Sequence, residues 1–208
     1  VCVCVCVCVS VCSLINNSDS AHAQLYLDLG GQPIKNKKLG IVANQTSVIF
    51  KDPYENIYTH LVDSLIKHGV SIQKVFAPEH GYRGQADAGE YVKNGVDIKT
   101  GIEIVSLYGK NRKPSSKALK DLEIVLFDLQ DVGTRFYTYV STLHYMMEAC
   151  ASLNIPLVLL DRPNPNGHYI DGPVLDMRYK SFVGMHPVPI AHGMTPVSYT
   201  HLRAHETL

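Results

Sequence analysis

Residues able to do chemistry gather at four places in this chain. The strings are Asn44-Gln45-Thr46-Ser47; Pro78-Glu79-His80-Gly81-Tyr82-Arg83, running on to Asp87 and Glu90; Asp128-Leu129-Gln130-Asp131, with Arg135 and Tyr137 behind it; and Asp161-Arg162-Pro163-Asn164-Pro165-Asn166. Carboxylates and amides dominate, and no nucleophile stands out. There is no G-x-S-x-G elbow and no well-placed cysteine, which argues against acyl-enzyme hydrolysis. No glycine-rich phosphate loop follows the first apolar run, where Asn44-Gln45-Thr46 stands instead, so a nucleotide cofactor is not expected.

Paired carboxylates with amide and arginine neighbours suit glycoside hydrolysis. One acid protonates the leaving oxygen while a second group stabilises positive charge or activates water. Glu79 is the preferred acid. A carboxyl just beyond a buried strand, after Pro78, is partly withdrawn from water, as a proton donor to a leaving oxygen needs to be. The plainer alternative is a Glu79–Arg83 ion pair that only orders the loop. The partner group is open among Asp87, Glu90, Asp128 and Asp131, with Asp131 taken as the working candidate. Substrate contacts are expected from Asn44, Gln45, His80, Arg83, Asp87, Gln130, Arg135, Tyr137, Arg162, Asn164 and Asn166. Arg135-Phe136-Tyr137-Thr138-Tyr139 combines a fixed charge with amphipathic rings, suited to an anionic sugar, the plainer alternative being that Phe136 and one tyrosine are packed at a helix start. His80, His186 and His192 with Asp128 and Asp131 could instead ligate a metal. Their spacing is not diagnostic, and His80-Gly81 and His192-Gly193 read equally well as turns, so no metal ligand is assigned.

These groups need a scaffold, and the apolar pattern supplies one. Short apolar runs at Leu39–Ala43, Ile72–Ala77, Glu103–Leu107, Leu122–Leu129 and Ile155–Leu160 read as strands. Between them lie helical stretches at Asn56–His68, about Ser115–Lys120, and about Tyr137–Leu153, where Val140, Leu143, Met147 and Cys150 form one stripe. Near-continuous apolar strands alternating with helices predict an α/β fold with a Rossmann-like parallel sheet covered on both faces. In such sheets ligands bind beyond the carboxyl ends of the strands, where the polar strings fall.

Composition narrows the partners. Lys+Arg and Asp+Glu are equal at 19 each in 208 residues, so there is no basic surface for a phosphate backbone and nucleic acid is not an expected partner. Five of the six cysteines sit in a Val-Cys alternation before residue 13, which reads as low complexity rather than a disulfide framework or a thiolate metal site. Residues 1–23 also read as signal-like. An apolar run precedes Ala21-His22-Ala23, which has the small-x-small form of a cleavage site, and export to the periplasm or beyond is the expectation.

Longer strings carry a resemblance. Asn44–Ser47, Pro78–Glu90 (PEHGYRGQADAGE), Ser106–Pro114, Phe127–Ala149, Leu160–Gly167, Asp171–Asp176 and Phe182–Thr195 together resemble the NamZ exo-β-N-acetylmuramidase family, formerly DUF1343. The resemblance spans about Lys38 to Thr195. It implies a cofactor-free glycosidase that removes terminal N-acetylmuramic acid from the non-reducing end of peptidoglycan-derived muropeptides or disaccharides. It places an acidic candidate on Glu79 and offers the lactyl carboxylate of the sugar to Arg83, Arg135 or Arg162. Residues 24–195 are then the Rossmann-like catalytic domain, with the family's C-terminal domain missing. Residues 196–208 fit neither that family nor an amphipathic helix and read as a non-native, adapter-like tail. A binding module inactive through truncation, or a metal-dependent hydrolase, is the alternative.

Overall fold

The sheet forms where β-branched and aliphatic residues run unbroken, and its faces are read directly from their alternation. A computed structural model describes residues 9–10, 34, 36–52, 57–84 and 94–205. In chain order its elements are β1 (Val9–Ser10), β2 (Leu39–Ala43), β3 (Val48–Asp52), β4 (Ile57–His60), α1 (Leu61–Lys67), β5 (Ile72–Ala77), β6 (Gly95–Val96) and β7 (Glu103–Ser106). Then come α2 (Ser116–Leu119), β8 (Ile124–Asp128), α3 (Tyr139–Ser152), β9 (Leu157–Asp161) and α4 (Pro196–His205). The seven-stranded sheet has the order β1-β9-β8-β2-β5-β7-β6, and all its pairings are parallel except β6 with β7.

Both faces are covered, as the apolar pattern predicts. Leu39, Ile41, Ile124, Leu126, Val158 and Leu160 face one core with Leu61, Val62 and Leu65 of α1. Val42, Phe76, Val125, Phe127, Leu157 and Leu159 face the other, against Leu119 of α2 and Tyr139, Leu143, Met146 and Cys150 of α3. Burying each of the larger aliphatic side chains contributes roughly 1.5–3 kcal/mol, and that drives the layering. Cys150 is fully buried, as expected of a core residue. Met146 lies deeper than Met147, which only flanks the core.

Two expectations are corrected. The helix placed from Asn56 begins only at Leu61, because Ile57–His60 pairs antiparallel with Val48–Asp52 in a separate hairpin. The β-branched and aromatic residues of Val48-Ile49-Phe50 and Ile57-Tyr58-Thr59 favour a pleated pair over a helix, and Ile57 is exposed rather than packed. His60 ends the strand and caps the helix, its Nδ1 accepting from Val62 N at 3.3 Å. The second correction concerns Pro196–His205, which is helical and buries Val197, Tyr199 and Thr200. Asp161 at the end of β9 holds its start, accepting from Thr195 Oγ1 at 2.8 Å and Val197 N at 3.3 Å.

Candidate active site

The strand order places the carboxyl ends of β9, β8, β2 and β5 side by side, so the four polar strings meet along one edge of the sheet. Asn44 lies fully buried at its centre. Its Nδ2 donates to Tyr139 Oη at 2.7 Å, while its Oδ1 accepts from Thr46 N at 2.8 Å and Thr46 Oγ1 at 2.6 Å. Thr46 Oγ1 in turn accepts from Gln130 N at 3.1 Å, and Ser47 Oγ donates to the Asp128 carbonyl. His60 Nε2 stands 2.9 Å from the Asn44 carbonyl. Because His60 Nδ1 is already an acceptor, the Nε2 proton is the one donated, and burial holds this imidazole below its ordinary pKa. Asn44, expected at the substrate, therefore ties β2 to α3 and to the hairpin.

The β8–β9 side is similarly committed inward. Arg162 forms a two-pronged bond with Asp128, Nε to Oδ1 at 2.7 Å and Nη2 to Oδ2 at 3.0 Å, and both residues are buried. Gln130 Nε2 donates to the Asp131 and Pro163 carbonyls, each at 2.8 Å. Asn166 Nδ2 donates to Val132 O at 2.8 Å, and Asn164 Nδ2 donates to Met194 O at 3.1 Å. Asn164 also packs so closely on Gly133 that an added Cβ there would lie 2.1 Å from its Nδ2, and Gly133 has φ +69°. Only glycine fits both constraints. Asp131 is 1% exposed. Its Oδ1 accepts from Gly133 N at 2.8 Å, its Oδ2 has no hydrogen-bond partner among the described residues, and burial raises its pKa to about 6.

The β5 side is looser. A Gly81 N to Pro78 O bond at 3.1 Å closes a turn with His80 at φ +70°, a backbone conformation that non-glycine side chains rarely adopt. Glu79 is half-buried on this turn, and its Oε2 lies 3.4 Å from Thr138 Oγ1 at the start of α3. Tyr137 and Tyr139 meet edge-to-face at 4.7 Å beside it. The Glu79–Arg83 ion pair does not form. Arg83 is taken by Asp97, through bonds of 2.8 Å to each oxygen, and by Asp63 at 3.1 Å. The Arg83 guanidinium holds the Asp97 carboxyl down at about 2. Arg83 and Gln45 line a cleft of about 460 Å3 together with Tyr58, His60, Asp63 and Lys99.

Arg135 differs from Arg83 and Arg162. Its Nη1 donates to the carbonyls of Pro173 at 2.9 Å and Val188 at 2.8 Å, and it has no carboxylate partner among the described residues. Asp87 and Glu90 lie outside the described residues. The five side chains considered for a metal do not converge, and among the described residues no group of three or more His, Cys, Asp or Glu could hold one. Asp128 is bound to Arg162, and His192 Nδ1 accepts from Met194 N at 3.3 Å. Asp63 and Asp97 escaped the sequence reading, as did the partners of Thr138 and Tyr139. Tyr139 and Thr138 lie inside a quoted string, yet their partners are 95 and 59 residues away, and nothing local signals such a pairing.

With this geometry in hand, comparison with known proteins adds the lineage. Residues 39–207 match the family model described as exo-beta-N-acetylmuramidase NamZ, N-terminal. The peptidoglycan beta-N-acetylmuramidase NamZ of Bacillus subtilis (strain 168) is 45% identical over 164 residues, covering 78% of this chain and 38% of that protein. A crystal structure of a DUF1343 family protein from Bacteroides fragilis NCTC 9343 has a TM-score of 0.73 at 39% identity, covering 90% of this chain and 46% of its own. Another from the same organism has a TM-score of 0.72 at 35% identity, covering 84% and 42%. The chain thus spans less than half the length of these relatives.

Proposed function

Because the chain belongs to the family of the NamZ exo-β-N-acetylmuramidase N-terminal region, we propose that it serves glycoside hydrolysis on peptidoglycan-derived saccharides. The reaction is removal of a terminal β-linked N-acetylmuramic acid from the non-reducing end. The observation that carries this reading is Glu79, a half-buried carboxyl on a strained turn at the sheet's carboxyl edge, whose one hydrogen-bond contact among the described residues is the long 3.4 Å approach of Thr138 Oγ1. Structural carboxylates are saturated, as Asp128 is. A carboxyl left with spare lone pairs at the carboxyl edge of the sheet is available to a glycosidic oxygen. Glu79 then donates its proton to the leaving oxygen, and Thr138 steadies the carboxyl. Asp131, whose pKa burial raises to about 6, is our choice of second carboxyl. Export, inferred from Ala21-His22-Ala23, would bring the chain to peptidoglycan.

One observation favours a second reading, a saccharide-binding module without turnover. Asp128 and Asp131, the described candidates for the second carboxylate, are 0% and 1% exposed. Release of chromophore from a chromogenic β-N-acetylmuraminide, with the β-N-acetylglucosaminide as control, tests the first reading. Hydrolysis of the muraminide alone supports it. Saturable binding of the sugar by folded protein without release favours the second, and neither binding nor release removes both.

A further inference from the structure

We propose that Arg135 recognises the carboxylate of the sugar and so sets preference for N-acetylmuramic acid over N-acetylglucosamine. The inference rests on the saccharide reading of the site and deepens it. Charge accounting selects this residue from the arginines along the edge. Arg162 is neutralised by buried Asp128, and Arg83 by Asp97 and Asp63. Arg112 lies over the Phe182 ring at 4.4 Å, and that ring stacks on Tyr145 in the middle of α3, away from the helix start that meets Glu79. Arg135 alone of these is fixed without being neutralised by a carboxylate or spent on a ring.

Its fixation is as telling as its free charge. Nη1 is held by the Pro173 and Val188 carbonyls, and the Arg135 backbone N donates to Ile190 O at 2.7 Å. Neighbouring Thr134 bridges to Ala191. Two carbonyls aim the guanidinium and leave Nε and Nη2 to donate, and this pair of parallel N–H groups fits a carboxylate. Little side-chain freedom remains to be lost when an anion arrives. Arg135 precedes Thr138 by three residues, at most about 10 Å of chain, and Thr138 Oγ1 is the group 3.4 Å from the Glu79 carboxyl. N-acetylglucosamine lacks the lactyl carboxylate and would leave this charge unanswered.

Calorimetric titration of the chain with N-acetylmuramic acid and with its lactyl methyl ester separates recognition of the charge from recognition of the ring. Wild-type protein is expected to bind the acid about tenfold or more tightly than the ester. Arg135→Gln is expected to bind both at the wild-type ester affinity. The proposal is overturned if wild type shows no preference, if the variant keeps it, or if the variant loses acid and ester binding equally, as a merely structural role would require. Should Arg135→Gln fail to fold, Arg135→Lys keeps the charge without the fork and must show a reduced acid-to-ester ratio. Hydrolysis of the muraminide by wild type is scored separately. Preference without turnover sinks the glycosidase reading alone, and turnover without preference sinks the role of Arg135 alone.

Discussion

The two halves of the carboxyl edge are built to different standards. On the β8–β9 side the fold consumes Arg162 through Asp128, Gln130 through two carbonyls, and Asn164 and Asn166 through backbone groups across the loop, leaving Asp131 Oδ2 as the exception. On the β5–α3 side, among the described residues, Glu79 has one long contact and Arg135 no carboxylate partner, and His80 sits in an unfavourable backbone region. Asn44 and Tyr139 join the halves through a buried 2.7 Å bond. The difference separates residues that hold the site from residues that face what it binds. Buried polar groups must be satisfied for the fold to stand, whereas a group that will meet substrate has to keep capacity in reserve.

Substitutions on the two sides should therefore fail differently. The largest effect is expected at the buried pair. Arg162→Met leaves Asp128 charged without its partner and should cost about 3–5 kcal/mol, measured by urea unfolding. A loss under about 1 kcal/mol would place Arg162 among the exposed ion pairs instead. On the open side, Glu79→Gln should lower kcat by roughly a hundredfold to ten-thousandfold with no change in urea midpoint. A fall in stability instead of kcat would erase the contrast.

Asp131 sharpens the boundary between the halves. Its folded pKa of about 6 lies above the ordinary 3.8, so the folded state binds the extra proton. The stability this confers is full below about pH 3.8 and is lost as pH rises through 6. Asp131→Asn should accordingly unfold like wild type near pH 4 and be more stable by roughly 3 kcal/mol at pH 7.5, taking about 1.4 kcal/mol for each pKa unit. Equal unfolding curves at both pH values would mean the carboxyl is hydrated after all. The smallest effect is expected at His80. Replacing it with glycine should leave stability unchanged or raise it by up to about 1 kcal/mol, since glycine tolerates φ +70°, while kcat/KM falls. A clear loss of stability would show that the imidazole holds the turn.

The sheet was legible because its signal is local. Leu39–Ala43, Ile72–Ala77 and the strand ending at Asp128 show their burial in their own composition, and the strand ends then locate the polar edge. The hairpin was misread because an i, i+4 apolar spacing in Ile57, Leu61 and Leu65 mimics a helix when its pairing partner, Val48–Asp52, is not considered. The roles of the arginines were illegible for a related reason. Arg83, Arg135 and Arg162 look alike in sequence, and only folding reveals that Asp97, 14 residues on, and Asp128, 34 residues back, answer two of them. The role of Tyr139 was hidden because a phenol at a helix start reads as a sugar contact or as packing until Asn44 is seen to donate to it.

The most direct test of the account is a paired measurement on wild type and Glu79→Gln: chromophore release from the β-N-acetylmuraminide, followed beside urea unfolding of the same preparations. The account predicts release by wild type, loss of release in the variant, and superimposable unfolding curves. Undiminished release by a variant as stable as wild type would contradict it, because the open carboxyl at the end of β5 would then have no part in the chemistry.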